Sequence, residues 1–138
     1  MSRSGYSDDL DSLELGRWRG QVAAATRGKR GQKFFRDLVA ALDTMPEKKL
    51  VKSELETSDG VCALGALARF RAVIMDDLDP YDHEELGRAF DIAHQLAQET
   101  MYENDESYTK TDEERWVYVR AWAAKQIVPT DAELGVAP

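Results

Sequence analysis

Apolar residues recur at three- and four-residue spacing along most of the chain, which is the period of an amphipathic α-helix. In the N-terminal half this spacing predicts a first helix from Asp11 or Ser12 to Thr26 and a second from Gln32 to Met45. Pro46 follows directly and cannot continue a helix. Residues 1–10 are mostly polar and are predicted to form a flexible tail.

The C-terminal half is predicted to hold three more helices. The third runs from Cys62 or Ala63 to Ile74, and the fourth from Pro80 to about Tyr102 with Asp79 as its N-cap. The fifth helix begins with the capping-box sequence Thr111-Asp112-Glu113-Glu114 and continues to about Val128.

Residues 47–62 fit neither the helical nor the strand period. A short strand that pairs with Val61-Cys62 across Thr57-Ser58-Asp59-Gly60 would form a hairpin, and a short helical turn is the alternative. The whole pattern predicts a mainly α fold, a compact bundle of about five helices, with room for one small β-hairpin around residues 50–62. We expect a single helical domain over residues 11–128 and a C-terminal tail over residues 129–138.

Composition places the chain among globular proteins. Of its 138 residues, 43% are hydrophobic and 32% are charged, which is too apolar for wholesale disorder. The one cysteine cannot form an internal disulfide, and no N-terminal apolar stretch resembles a signal peptide or a membrane span. We therefore expect a cytoplasmic protein that does not bind membrane.

Charge is distributed unevenly along the chain, whose formal net charge is -8. The stretch 17–36 contains Lys and Arg but no acidic residue, whereas acidic residues dominate from Asp76 to Glu114. The net charge disfavours nucleic-acid binding by the whole surface. The basic stretch could still contact phosphate, or it could form ion pairs with the acidic part. The candidate nucleic-acid patch consists of Arg27, Lys29, Arg30 and Lys33.

Cys62 is a candidate nucleophile, because a thiol beside a helix N-terminus is more easily ionised, and His94 is its candidate base. The structural alternative is that Cys62 is a small buried apolar group, as free cysteines usually are. The acidic residues Asp76, Asp77 and Asp79 suggest a metal site, but the loop lacks the glycine and closing glutamate of an EF-hand. Helix capping and solvation explain these residues, so we expect neither a metal nor another cofactor.

The fifth helix offers a candidate interface. Its predicted inner face carries Trp116, Val119, Ala123 and Ile127. Tyr118 and Trp122 then fall on its flank and outer side, next to Arg115. Large aromatic side chains outside a core are typical of protein interfaces. The alternative is that they pack against another part of the fold.

Two sequence elements resemble those of a family of small proteins from phages, prophages and bacterial genomes. The first, Asp59-Gly60-Val61-Cys62-Ala63-Leu64-Gly65-Ala66-Leu67, is similar to a D-G-x-x-C-A-L-G-A element, although Gly60 and Cys62 are one residue closer here. The second places Asn104-Asp105 ahead of the Thr111 helix. The resemblance implies one structural unit and transfers no chemistry. This structural hub is expected to contain Asp59, Gly60, Cys62, Gly65, Asn104 and Asp105.

Together these features favour a non-enzymatic, acidic protein-binding module. With the resemblance, they suggest a phage-encoded modulator or inhibitor of a host system in the bacterial cell, such as a nucleic-acid-binding or defence complex. A nucleic-acid-associated regulator using residues 17–36 and a Cys62-dependent enzyme are the two alternatives. The candidate contacts with a host protein are Arg115, Tyr118, Trp122, Asp76, Asp77 and Asp79.

Overall fold

The structure, a computed structural model, describes residues 2–6 and 12–135. Within them the fold is mainly α, as predicted, and the chain forms one small antiparallel hairpin in which Glu56 pairs with Val61 and Thr57 with Gly60. The elements in chain order are α1 (Ser12–Arg27), α2 (Lys29–Thr44), β1 (Glu56–Thr57), β2 (Gly60–Val61), α3 (Ala63–Arg71), α4 (His83–Phe90), α5 (His94–Asp105) and α6 (Asp112–Gln126).

The hydrophobic core is built around α2 and α3. Phe34, Phe35, Leu38 and Leu42 of α2 are completely buried, and every residue of α3 from Ala63 to Ala68 is buried. A Cβ atom on Gly65 would lie 2.1 Å from the carbonyl oxygen of Leu55. Glycine at this position therefore allows the backbone before the hairpin to approach α3.

The predicted fourth helix is wrong, because the chain forms two helices there. Asp91 has a φ of 54°, a left-handed conformation that ends α4, and α5 begins at His94. The backbone turns back against Gly87, where a Cβ atom would lie 2.8 Å from the carbonyl oxygen of Ile92. This break buries Ile92, which a continuous helix with Phe90 on its inner face would direct away from the core.

The start of the predicted fourth helix also differs. The N-cap is Asp82, whose carboxylate accepts a hydrogen bond from the backbone N–H of Glu85 at 3.1 Å. Asp79 instead accepts from the N–H of Tyr81 at 2.8 Å and stabilises the preceding turn. Pro80 therefore lies in the loop before α4, because the Asp79 turn and the Asp82 N-cap both precede the first turn of the helix.

The prediction of a flexible tail over residues 1–10 is wrong for residues 2–6. Arg3 is 2% exposed and Ser4 is fully buried. His83 Nε2 is 2.5 Å from the carbonyl oxygen of Arg3, and Gln98 donates to the carbonyl oxygen of Ser4 at 2.8 Å. Residues 1 and 7–10 of the predicted tail lie outside the described residues.

The predicted C-terminal tail is exposed over residues 129–135, but two side chains of α2 contact the segment after α6. Gln32 Oε1 accepts a hydrogen bond from the N–H of Val128 at 2.7 Å. Arg36 of α2 donates to both carboxylate oxygens of Glu133, at 3.0 and 2.8 Å, and to the carbonyl oxygen of Val128 at 2.9 Å. Residues 136–138 lie outside the described part of the chain.

Candidate protein-binding surface

The two sequence motifs, the Cys62 turn and Asn104-Asp105, meet at Asn104, a buried residue in the last turn of α5. Its Oδ1 accepts a hydrogen bond from the N–H of Ala63 at 3.0 Å, and its Nδ2 donates to the carbonyl oxygen of Val51 at 2.9 Å. One side chain thus satisfies the first turn of α3 and the segment before the hairpin. The predicted contact between the Cys62 turn and Asn104-Asp105 is present.

Arg3 completes this structural hub, and sequence reasoning missed it. Its guanidinium donates to Asp105 through Nε at 2.5 Å and through Nη2 at 2.8 Å. It also donates through Nη1 to Cys62 Sγ at 3.5 Å. Nothing in the local sequence signals this role, because an arginine among serines near the N-terminus is typical of a solvated segment.

The other predicted hub residues, Asp59 and Gly60, lie at the hairpin turn. Gly60 has a φ of +145°, which glycine adopts far more readily than other residues. Asp59 is exposed, and its backbone N–H donates to Thr57 Oγ1 at 3.1 Å. Asp59 and Gly60 thus form the hairpin turn at the surface, whereas Cys62 and Gly65 are buried.

Cys62 caps α3 through its thiol. Its Sγ accepts a hydrogen bond from the N–H of Gly65 at 3.5 Å, and the residue is 1% exposed. His94 is the first residue of α5, whereas the Cys62 turn is bonded to Asn104 near the other end of that helix. At about 1.5 Å per residue the two ends lie about 15 Å apart. The structure therefore does not bring His94 to Cys62.

On α6 the predicted inner face is confirmed, but two of the three predicted interface residues also point inward. Arg115 is 5% exposed and donates from Nη1 to Asp112 and to the carbonyl oxygen of Leu50, both at 2.7 Å. Trp122 packs edge-on against Phe35, with ring centroids 5.2 Å apart. The prediction that Trp122 has no core to enter is wrong, because α2 supplies Phe35 beside it.

Tyr118, the third of these residues, stays at the surface. Its hydroxyl donates to Glu103 Oε2 at 2.5 Å. Burial and the neighbouring Glu103 carboxylate raise the pKa of Tyr118 above its usual value. Burial likewise raises the pKa of Glu103, although the bond from Tyr118 opposes this. The hydrogen bond between Tyr118 and Glu103 joins α6 to α5, so the Tyr118 hydroxyl is used within the molecule and is not presented to a partner.

Much of the basic stretch is paired within the molecule. Arg19 contacts the buried carboxylate of Glu99 at 2.8 Å, and Arg36 contacts Glu133 at 2.8 Å. Arg30 and Lys33 of the candidate nucleic-acid patch contact Asp91 at 3.3 Å and Asp37 at 3.1 Å. The acidic part thus meets the basic stretch at Glu99 and Asp91. In the patch only Arg27 and Lys29 have no acidic partner among residues 2–6 and 12–135.

Residues 74–82, here called the acidic loop, connect α3 to α4 at the surface. Their exposed carboxylates are Asp76, Asp77, Asp79 and Asp82. Within the described residues none of the four forms an ion pair. Two large apolar side chains share this loop: Ile74 is 76% exposed and Tyr81 is 56% exposed.

Local backbone geometry explains why the side chain of Ile74 is exposed to solvent. The third helix was predicted to reach this residue, but α3 ends at Arg71 because Ala72 is left-handed, with a φ of 57°. The N–H of Val73 then bonds back to the carbonyl oxygen of Ala68 at 2.8 Å. This closure resembles a Schellman motif and directs the following residues away from the helix axis.

A pocket of about 230 Å³ lies between the acidic loop and the strand β1, and we call it the carboxylate-rimmed pocket. We call its three exposed acidic residues the rim and its four less exposed apolar residues the floor. It is lined by Glu54, Leu55, Glu56, Met75, Asp76, Leu78 and Pro80. A larger open groove of about 510 Å³ lies on the other side of the hairpin, between α2 and α3, and includes Met45, Asp59, Arg69 and Phe70.

The pocket and the groove are separated by an ion pair. Arg69 donates to Glu56 Oε2 from Nε at 3.2 Å and from Nη2 at 2.6 Å. Both side chains are about half exposed, so the pair forms part of the surface. The hairpin, the acidic loop and α3 thus form one continuous face.

Two further features of residues 2–6 and 12–135 bear on function. No helix there combines the length and apolar character that crossing a membrane requires. No three His, Cys, Asp or Glu side chains there are grouped in a way that could hold a metal ion. Comparison of the chain with protein-family models, with curated proteins and with solved structures finds no match.

Proposed function

We propose that the protein is a non-enzymatic protein-binding module whose contact surface is the acidic loop. The observation that carries this proposal is the combination of exposed Ile74 and Tyr81 with carboxylates that lack ion-pair partners in the described residues. Large apolar side chains at the centre and charged groups at the edge are typical of protein interfaces.

The energetics favour a protein partner. Burying an apolar side chain the size of Ile74 yields about 1.5–3 kcal/mol, and Tyr81 adds a large ring with a polar end. The aspartates would attract a basic surface and speed its association. A partner with apolar and basic groups side by side would satisfy both parts of the loop.

The partner that we propose is a basic host protein or protein complex. The resemblance to phage and prophage proteins supports a phage-encoded modulator or inhibitor. A nucleic-acid-binding or defence complex is a suitable target, because its phosphate-binding surface presents Lys and Arg. An acidic loop could occupy such a surface in place of nucleic acid.

The two alternatives have less support. Internal ion pairs neutralise Arg30 and Lys33, half of the candidate nucleic-acid patch. Burial and two hydrogen bonds hold Cys62 in a capping role. The acidic loop, by contrast, combines exposed apolar side chains with carboxylates that have no ion-pair partner in the described residues.

A pair of matched triple variants tests the proposal by affinity capture from a bacterial lysate. The loop variant is Ile74→Ser/Asp77→Asn/Tyr81→Ser. The control, Leu13→Ser/Glu113→Gln/Val117→Ser, also removes two exposed apolar side chains and one exposed carboxylate, but elsewhere. We expect the native protein and the control to capture one protein in stoichiometric amount and the loop variant to lose it. Equal capture by all three, or no stoichiometric capture, would overturn the proposal.

A further inference from the structure

We propose that the carboxylate-rimmed pocket receives the side chain of an arginine or lysine from a basic segment of the partner protein. This inference rests on the proposed function and specifies the chemistry of the contact. It concerns Asp76 and the less exposed residues of the acidic loop, together with residues 54–56 at β1, and not the exposed Ile74 and Tyr81.

The floor of the pocket suits an aliphatic stem. Leu55, Met75, Leu78 and Pro80 supply apolar atoms, and the first is 6% exposed and fixed in the core. Lysine and arginine bury their methylene groups against apolar surface while their charged ends stay near water or anions. A side chain with a short or wholly polar stem would leave this floor uncovered.

The rim suits a cationic end. Glu54 and Asp76 are exposed and form no ion pair with any residue that the structure describes. Glu56 uses Oε2 for both of its bonds with Arg69, so within the same residues Oε1 has no hydrogen-bond partner. The pocket lining therefore contains three carboxylates, and among the described residues Arg69 binds only one oxygen of one of them.

Other occupants fit less well. An apolar side chain would cover the floor but would remove water from the carboxylates without replacing its hydrogen bonds. Phosphate groups of nucleic acid would be repelled by the rim. A guanidinium group can donate to two carboxylates at once, which favours arginine over lysine.

The probe for this pocket is a fluorescein-labelled hexa-arginine peptide, and its neutral counterpart is the hexa-citrulline peptide. Fluorescence anisotropy measures their binding to the full chain at 50 mM and 150 mM NaCl. The pocket variant is Glu54→Gln/Asp76→Asn, and the control is Glu113→Gln/Asp131→Asn. Both variants change the net charge from -8 to -6, so long-range attraction is matched.

We expect the native protein and the control to bind hexa-arginine with similar affinity and the pocket variant to bind about fivefold more weakly. Hexa-citrulline should bind none of them measurably. Equal weakening in the control and the pocket variant would show attraction by net charge alone and would overturn the proposal. Equal binding of both peptides, or no binding at 50 mM NaCl, would also overturn it.

The lysate experiment separates the two proposals. If the pocket variant captures the partner as well as the native protein while the Ile74, Asp77 and Tyr81 variant does not, the proposed function stands and the pocket inference fails. If both variants still capture the partner, the proposed function and the pocket inference both fail. Far-ultraviolet circular dichroism of each variant confirms that the fold is retained.

Discussion

Replacing Asn104 with alanine should strongly destabilise the protein. The native amide accepts from the N–H of Ala63 and donates to the carbonyl oxygen of Val51 and to Asp105. Asn104 is 1% exposed, and Ala63 and Val51 are also buried. The variant therefore leaves a buried donor and a buried acceptor that water reaches poorly.

The expected magnitude follows from these two backbone groups. An unsatisfied buried donor or acceptor costs about 1–3 kcal/mol, so the pair costs about 2–6 kcal/mol. We expect the free energy of unfolding to fall by about 4 kcal/mol, against a total stability of about 5–15 kcal/mol for a domain of this kind. The Asp105 bond adds less, because that carboxylate keeps Arg3.

Urea denaturation followed by circular dichroism measures this change. Gln95→Ala is the control, because Gln95 lies on the same helix and its side chain makes no hydrogen bond with a described residue. It should change the free energy of unfolding by less than about 0.5 kcal/mol. A loss below about 1 kcal/mol for Asn104→Ala would refute the idea that Asn104 joins the hub.

The further predictions concern single residues. Burial raises the pKa of Glu103, so protonated Glu103 stabilises the fold. This stabilisation is lost as pH rises above the ordinary pKa of 4.5. Glu103→Gln should therefore raise the melting temperature at pH 7 and leave it nearly unchanged at pH 3. Arg36 lowers the pKa of Glu133 to about 2. The ion pair should therefore be present above pH 4.5 and be lost as pH falls towards 2, which carbon-13 NMR of the Glu133 carboxyl measures. A titration of Glu133 near 4.5 would contradict the contact. Gly65→Ala should cost at least about 2 kcal/mol in urea denaturation because its methyl group would clash with backbone. At Gly20 an added Cβ atom would meet no described atom within 4 Å apart from the backbone of its own helix, so Gly20→Ala should instead stabilise the protein by about 0.5–1 kcal/mol.

The sequence predicted those elements whose signals are local. Thr111 caps α6, and its hydroxyl accepts from the N–H of Glu114 at 3.1 Å, as the capping box indicated. Cys62 and Asn104 were correctly expected to belong to one structural hub, and they are joined through the N–H of Ala63. Periodicity could not show the break between α4 and α5, because Phe90 and Ala97 keep helical spacing across it.

The candidate site was only partly predictable, because exposure depends on neighbours that are distant in sequence. Asp76 and Asp77 are exposed as expected, but Trp122 is covered by Phe35 from a helix far earlier in the chain. Ile74 becomes exposed only because Ala72 ends α3 early. The first outcome depends on a tertiary contact and the second on a local backbone conformation, and residue spacing along one helix indicates neither.

The central claim, that the acidic loop contacts a protein partner, is tested most directly by photo-crosslinking in bacterial cells. The photoreactive amino acid p-benzoylphenylalanine replaces Tyr81 in the loop or, as a control, the fully exposed Tyr108 outside it. We predict a discrete protein adduct from position 81 and none from position 108. No adduct from position 81, or the same adduct from both positions, would contradict the claim.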